Sequence, residues 1–482
     1  MSHTAPALDP RSEEDSNPME ILTIETPSLG DRSYVVTDGE VAAVIDPQRD
    51  IDRVFEVTEP RGLKITHVFE THNHNDYVTG GYELARITGA EYVLNADEEM
   101  FFDFHGVREG DELEVGGLTV RVIHTPGHTP THVSYLISDA EHQAVFTGGS
   151  LLYGSVGRTD LVSRAMAEEL TRKQYATAKR LAEELDDDTT VLPTHGFGSF
   201  CSSAAADEHT SNVDPKYGVE TSTIAEQRRA NLALTITDEE EFVSTLLSGL
   251  DAYPRYYAHM APRNKVGPQP IDLSPAVEAD PSELAKRMHV GEWVVDLRSR
   301  TAYAADHVSG TVNVEVSGSF ITYLAWILPW GTPVTLVGDT PEEVDEAQRQ
   351  MVRVGIDRPA AQAVGGVESF GAGLERGSYP IADLETLAKR RADGEDLHIL
   401  DVRRNDERGD LAIRGSQHIP IHELAQRVEE VPDDREVWVH CASGYRAAIA
   451  ASLLARAGRR PVLVDDFADR IEGLGFELEA AA

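Results

Sequence analysis

Short apolar runs separated by polar residues fill much of the first two hundred positions. ILTIET, SYVVTDG and VAAVID come first, and their β-branched content and spacing read as strands. Further along, ITHVFETHNH, LTVRVIHTPGH, AVFTGG and TVLPTHG each carry an apolar run into His or Gly. Strand ends that open onto loops are where layered α/β folds place their chemistry. Positions 167–185 carry apolar residues at helical spacing among many charges, which predicts an amphipathic surface helix. From about 202 to 275 the pattern weakens into helical stretches broken by Pro, Asn and Gly, as in MAPRNKVGPQP. This segment reads as helical additions to a first domain (19–235) and then a linker (236–275).

The remainder reads as a diverged repeat of one α/β unit. VVDLR (294–298) parallels ILDVR (399–403), and each precedes a His, His307 or His418. VTLVG and VWVHC are the matching buried strands, ending at Gly338 and Cys441. The break near Gly377–Pro380 divides the copies into 276–377 and 379–482.

Composition narrows the function classes. The 482 residues call for about three domains, and the apolar fraction of 41% is that of globular protein. Residues 1–18 have neither a basic start nor an apolar block, so they read as a disordered leader and not a signal peptide. With 83 acidic against 43 basic residues the formal charge is −40, which argues against nucleic acid and anionic membranes as partners. The acid is spread along the whole chain, as in proteins adapted to concentrated salt. No apolar run is long enough to span a bilayer. The two cysteines, Cys201 and Cys441, fall in different expected domains, so a reducing cytoplasm is the expected location. No GxxxxGK[ST] phosphate loop occurs, and nothing in the sequence fixes whether the chain is a homo-oligomer.

His72-Asn73-His74-Asn75-Asp76 follows one strand, His128 sits in TPGHT, and His195 in PTHG. Imidazoles with a nearby carboxylate suit zinc or ferrous iron. His67, His124 and His132 are equally read as supporting or packing residues. Arg158 and Asp160, in GRTD, either orient a substrate or brace the site as an internal salt bridge. Cys201 either faces the site as a thiol relay or packs as a small hydrophobe.

The order HxHxD, TPGH, PTHG resembles the metallo-β-lactamase fold over about 19–200. With ETHNHNDYVTGG and GSVGRTDL it is most similar to persulfide dioxygenases and glyoxalase II. The resemblance implies an αββα sandwich, with His72, His74 and His128 on a first metal and Asp76 and His195 on the side of a second. Two positions depart from the family pattern: Tyr77 stands where HxHxDH ends in His, and Gly149 stands where a TGD segment has Asp. In persulfide dioxygenases the one iron is held by two His and that Asp, which here correspond to His72, His128 and Gly149. The expectation is therefore a single metal ion, iron or zinc, on three histidines. The alternative is an empty site on a degenerate scaffold.

Cys441-Ala442-Ser443-Gly444-Tyr445-Arg446 joins a strand to a helix. Such a loop curls backbone N–H groups around one point at a helix N-terminus, which favours a thiolate. Cys-based phosphatases share the layout, with one more residue between Cys and Arg. The shorter loop, with DVR and HIP upstream, resembles rhodanese sulfurtransferases with parallel sheets. That implies Cys441 as nucleophile, Arg446 as a catalytic loop residue, and Asp401 and Arg403 as structural braces. The first copy has Gly338-Asp339 at the nucleophile position, so it reads as an inactive rhodanese-like unit. The whole order resembles fusions of a persulfide dioxygenase-like domain with an inactive and an active rhodanese domain. The expected partners are a low-molecular-weight thiol persulfide and a sulfite or thiol acceptor. The alternative activity is metal-dependent thioester hydrolysis of the hydroxyacylglutathione hydrolase kind.

Overall fold

The structure, a computed structural model, describes residues 18–196, 198–203, 212–213, 220–409 and 412–479. The expected leader, apart from Pro18, lies outside the described residues.

The first domain packs two sheets face to face. One runs Glu20–Thr26, Asp31–Thr37, Val41–Ile45, Lys64–Phe69, Glu91–Asn95 and His105–Val107 in spatial order. The other contains Glu112–Val115, Leu118–His124, Val133–Ser138, Gln143–Gly148 and Thr190–Pro193, extended by Glu220–Thr223 and Asn212–Val213. Alternate residues of both sheets, among them Tyr34, Val36, Ala43, Ile45, Val120, Val122, Tyr135 and Ile137, interdigitate in one buried layer, as the period of two dictates. The outer faces are covered by helices. Asp52–Thr58 and Gly81–Thr88 back the first sheet through Val54, Leu84 and Ala85. Ala167–Glu184, the amphipathic helix read from the sequence, backs the second through Ala178 and Leu181. This is the αββα sandwich, and the strand ends carrying His72, His128 and His195 meet along one edge of it.

The next two units share a parallel-sheet plan. Val312–Asn313, Trp293–Asp296, Val334–Gly338 and Ala361–Val364 form one sheet, and Glu278 bridges to Gln362 at its edge. Gln417–His418, His398–Asp401, Glu436–His440, Arg460–Val464 and Ile381–Ala382 form the other in the same spatial order. The repeated D-x-R plays the same part in each: Arg298 Nη2 lies 2.7 Å from Asp296 Oδ2, and Arg403 Nη2 lies 2.7 Å from Asp401 Oδ2.

The segment 236–275, expected as a linker, is largely folded. Helix Glu239–Ser248 buries Phe242, Val243 and Leu246 on the side of Ala167–Glu184, where the Phe242 ring lies 5.0 Å from that of Tyr175, and Tyr257–Lys265 buries Tyr257, Met260 and Asn264. Its Pro and Asn content disguised the helical period. Asn264 shows why it docks: its Nδ2 donates to His74 O and Tyr77 O at 3.1 Å, and its Oδ1 accepts from Thr79 N at 3.0 Å.

All three units meet on the helix Phe320–Ile327, FITYLAWI, which is apolar all round and buried at every position except Tyr323. A helix without a polar face is stable only inside protein. Thr322 Oγ1 donates to Ser28 O in the first domain at 2.7 Å. Trp326 stands edge-on to Phe200 at 4.9 Å and stacks on His422 of the third unit at 4.7 Å. One contiguous apolar cluster accordingly includes Tyr77, Cys201, Met260, Leu324, Val439, Cys441 and Ala448. The buried Arg353–Asp50 pair, 2.6 Å, adds a charged tie between the first and second units. Among the described residues no helix is long and apolar enough to cross a membrane.

Trp326 is 2% exposed and touches side chains of both other units. Trp326→Ala is expected to lower the unfolding free energy by about 3–5 kcal/mol. Denaturant titration followed by circular dichroism measures it, and a change under 1 kcal/mol would show that the junction is not a packed core.

Candidate active site

The first site is built from loops that end strands of the sandwich. Asp46 closes Val41–Ile45, Glu70 to Asp76 follow Lys64–Phe69, and His195 follows Thr190–Pro193. One ring nitrogen from each of His72, His128 and His195 lies within 4.8 Å of the others, and all three residues are buried.

Their tautomers are set by their neighbours. Thr71 Oγ1 donates to Asp46 Oδ2 at 2.7 Å, so it accepts the Nδ1–H of His72 at 2.9 Å. His128 Nδ1 donates to Arg158 O at 2.7 Å. His195 Nδ1 donates to Asp31 Oδ1 at 2.9 Å, with Asp76 Oδ2 3.2 Å away. His72 and His128 thereby keep the Nε2 lone pair, and His195 Nε2 approaches His72 Nε2 to 3.4 Å. His128 Nε2 is buried and makes no hydrogen bond among the described residues. A buried orphan acceptor is costly unless something fills its lone-pair direction. Three ring nitrogens converging on one point fit a metal ion, which would displace any proton from His195 Nε2.

His74 stands differently from its expected place beside His72 and His128. Its Nε2 lies 3.2 Å from both Asp46 Oδ1 and Glu70 Oε2, and its unbonded Nδ1 groups with Asp76 and His195. Tyr77 fills its position by packing: it stacks on His74 at 4.3 Å, and its hydroxyl donates to Asp46 O at 3.2 Å. Gly149 has no room for a side chain, since a Cβ there would lie under 3.0 Å from three atoms of the His128 ring. Gly157 is equally closed by His128 Nδ1 and by Gly149 O. His132, one of the supporting histidines, accepts from Gly149 N through Nε2 at 3.0 Å and bonds Thr125 Oγ1 through Nδ1 at 2.8 Å.

Charge follows burial. Burial and the neighbouring His195 hold His128 down to about 3, and burial with the other imidazoles holds His72 well below its ordinary value. Burial alone would lower His195 as well, but Asp76 and Asp31 outweigh it and raise it to about 9. Burial would likewise lower His74, yet Asp46 and Glu70 leave it well above the ordinary value. Burial pushes Glu70 up to about 7, against the hydrogen bond from His74.

Arg158 braces the site. It forms a two-pronged pair with Asp160, 2.8 and 3.0 Å, and donates to Phe200 O at 3.2 Å and Asp251 O at 2.8 Å. Cys201 is fully buried in the same wall, and burial with the charges of Asp76 and Asp31 drives its thiol pKa well up. It is held there as a thiol.

The second site is the loop of Cys441. Ala447 N lies 3.3 Å from Cys441 Sγ at the start of helix Tyr445–Arg456. Gly444 turns the loop with φ +86°, and Asp465 leaves no space for a Cβ there. Arg446 is held by both oxygens of Glu407. Behind it, Arg403 clamps Asp401 and donates to Glu407 O at 3.3 Å. The two sites are joined through protein: Asp251, whose carbonyl holds Arg158, accepts from Asp406 N through its carboxylate at 3.4 Å.

Sequence reading missed Asp31, Asp46, Glu70 and Glu407. The available signals were single acids at strand ends, as in VAAVID, and the acid of NDER beside DVRR.

Residues 31–195 match the Metallo-beta-lactamase superfamily, and residues 383–466 match the Rhodanese-like domain family. The mitochondrial persulfide dioxygenase of Bos taurus is 29% identical over 218 residues, 44% of this chain and 72% of that protein. The hydroxyacylglutathione hydrolase of Acidiphilium cryptum (strain JF-5) is 32% identical over 174 residues, 36% of this chain and 67% of that protein. A crystal structure of a metallo-β-lactamase from Staphylococcus aureus subsp. aureus COL superposes with a TM-score of 0.63 at 27% identity, covering 73% of this chain and all of that one.

Asp401 gives a pH test. Burial alone would raise it, but the charge of His440 and the hydrogen bond and charge of Arg403 hold it at about 2. A carboxyl depressed in the folded state stabilises above its unfolded pKa near 3.8 and loses that contribution as pH falls through 2. The stability gap between the parent protein and Asp401→Asn should shrink by about 2 kcal/mol between pH 5 and 2. Denaturant titration at each pH measures this, and a constant gap would show that the charge of Asp401 is not what braces the loop.

Proposed function

Because the chain belongs to the metallo-β-lactamase superfamily and carries a rhodanese-like domain near its C-terminal end, we propose that it works on sulfane sulfur with both sites. In this reading the first domain oxidises a low-molecular-weight thiol persulfide to sulfite and thiol, and the Cys441 domain moves sulfur to sulfite or a thiol. The observation that carries it is the coexistence of three histidines with converging ring nitrogens and a cysteine loop, in one chain with one shared core.

His72, His128 and His195 would hold the metal ion, iron or zinc. A metal there supplies Lewis acidity, and iron also supplies redox chemistry with dioxygen. The protein's part is positional. Thr71, Arg158 O and Asp31 orient the three imidazoles through Nδ1, and the apolar wall of Cys201, Tyr256 and Met260 keeps bulk water away.

At the second site the Cys441 thiolate attacks the outer sulfur of a persulfide. A new S–S bond forms, the old one breaks, and the carrier leaves as a thiolate that takes a proton from solvent. Sulfite then attacks the outer sulfur of the cysteine persulfide, releasing thiosulfate and restoring the thiolate. The N–H of Ala447 and the helix N-terminus favour the anionic forms, and Glu407 holds Arg446 in place. The unit at 276–377 has Gly338 where Cys441 stands, so we read it as an inactive rhodanese-like copy that supplies the junction helix.

The grouping of His74, Asp76 and His195 favours a second reading, thioester hydrolysis with two metals. Gly149 weighs against it, because no bridging carboxylate fits beneath His128.

Two experiments test these readings. Iron-loaded protein should take up oxygen with a low-molecular-weight persulfide. His128→Ala should lose at least a hundredfold of that rate and Cys441→Ser should keep it. No uptake from protein that still transfers sulfur through Cys441 would end the dioxygenase reading. Gly149→Asp should lower metal content below that of the parent protein by elemental analysis, since the new side chain displaces His128. A rise to two ions per chain would instead support the hydrolase reading.

A further inference from the structure

The two C-terminal units enclose a cleft of about 270 Å³ where the strap Gly377–Pro380 crosses between them. Arg456, Arg459, Arg460, His307, Tyr303 and Tyr379 line it, and no carboxylate side chain does, in a chain where acids outnumber bases 83 to 43. The strap is anchored on both sides: Tyr379 N donates to Ala304 O and Leu463 N donates to Pro380 O, each at 2.9 Å.

Two polar groups in this cleft lack partners. Arg456 makes no ion pair or hydrogen bond among the described residues, and its guanidinium lies over the ring of Trp293 at 5.2 Å. The other arginines half-buried or deeper in these units have carboxylates: Arg298 has Asp296, Arg403 has Asp401, Arg446 has Glu407. Burial lowers the pKa of Arg456, whereas Arg298 and Arg446 are raised despite theirs. The hydroxyl of Tyr379, a residue 8% exposed, also makes no hydrogen bond among the described residues. The remaining cations are partly compensated, since Arg459 pairs with Glu429 at 3.0 Å and Arg460 donates to Asp434 O. His307 donates through Nδ1 to Tyr303 O at 2.8 Å and stacks on that ring at 4.1 Å.

We propose that this cleft binds a small tetrahedral oxyanion of the sulfate, thiosulfate or phosphate class, with Arg456 as its principal ligand. A guanidinium matches two oxygens of such an ion at once, and Tyr379 lines the same cleft with a hydroxyl that can donate. The volume is below that of sites for drug-sized molecules, which selects a small ion with a few waters. The bound ion touches both units and so stabilises their pairing. The site is separate from the sulfur loop, because Arg456 ends the helix whose first turn supports Cys441.

Equilibrium dialysis of radiolabelled sulfate and, separately, phosphate against the full chain at fixed potassium chloride tests this. One saturable site per chain is expected, with thiosulfate competing. Affinity should fall at least tenfold in Arg456→Gln, fall less in Arg456→Lys, and stay unchanged in Cys441→Ser. Tighter binding of sulfate or of phosphate supports the site either way and tells which oxyanion it takes. The proposal is overturned if the parent protein shows no saturable binding, if binding survives intact in a folded Arg456→Gln, or if Cys441→Ser abolishes it.

Discussion

The buried carboxylate of Asp46 is the constraint on which the first site depends. It is fully buried, and it is the non-glycine residue of the described chain with positive φ, +49°. Such a backbone costs about 1–3 kcal/mol and persists where surrounding contacts over-determine it. Here they do. The carboxylate accepts from Thr71 N and Thr71 Oγ1, each at 2.7 Å, from Thr194 Oγ1, and faces His74 Nε2 at 3.2 Å. Burial alone would raise its pKa, yet the charge of His74 and these hydrogen bonds keep it low. Through Thr71 it orients His72, directly it holds His74, and through Thr194 it ties down the loop of His195. The loops after Lys64–Phe69 and Thr190–Pro193 are thus registered by one side chain at the end of Val41–Ile45.

Glycine does the opposite work around His128. Gly148, Gly149 and Gly157 each abut His128, His132 or Thr71 so closely that a Cβ would collide. The His128 imidazole occupies the space that a side chain at position 149 would need. The seating of the ring and a glycine at 149 go together, so the site is coherent as three histidines.

Legibility followed sequence distance. HxHxD, TPGH and PTHG could be read because each is a contiguous signature at a strand end, and the rhodanese-like repeat because its D-x-R and buried strands recur in order. The acids that orient the histidines could not. Asp31 meets His195 across 164 positions and Thr194 meets Asp46 across 148, and no local pattern records such pairings. The contacts of His74 Nε2 with Asp46 and Glu70 were hidden for the same reason. Helical stretches could be read in 202–275, but not the docking of Tyr257–Lys265, which rests on Asn264 and its contacts with residues 74, 77 and 79.

The shared core changes what a fusion of these sites means. Domains joined by a flexible tether raise each other's effective concentration according to tether length. Here the segment between first and second units is helical and docked, and FITYLAWI is buried by all three units at once. Phe200, three residues before the end of the described loop that carries Cys201, lies between Trp326 and the guanidinium of Arg404, 5.0 Å away. Arg404 in turn adjoins Glu407, the partner of Arg446. The spacing of the two sites is therefore fixed by packing. The contacts that join them are an aromatic cluster and matched ion pairs, not the solvent-screened acids of the exterior.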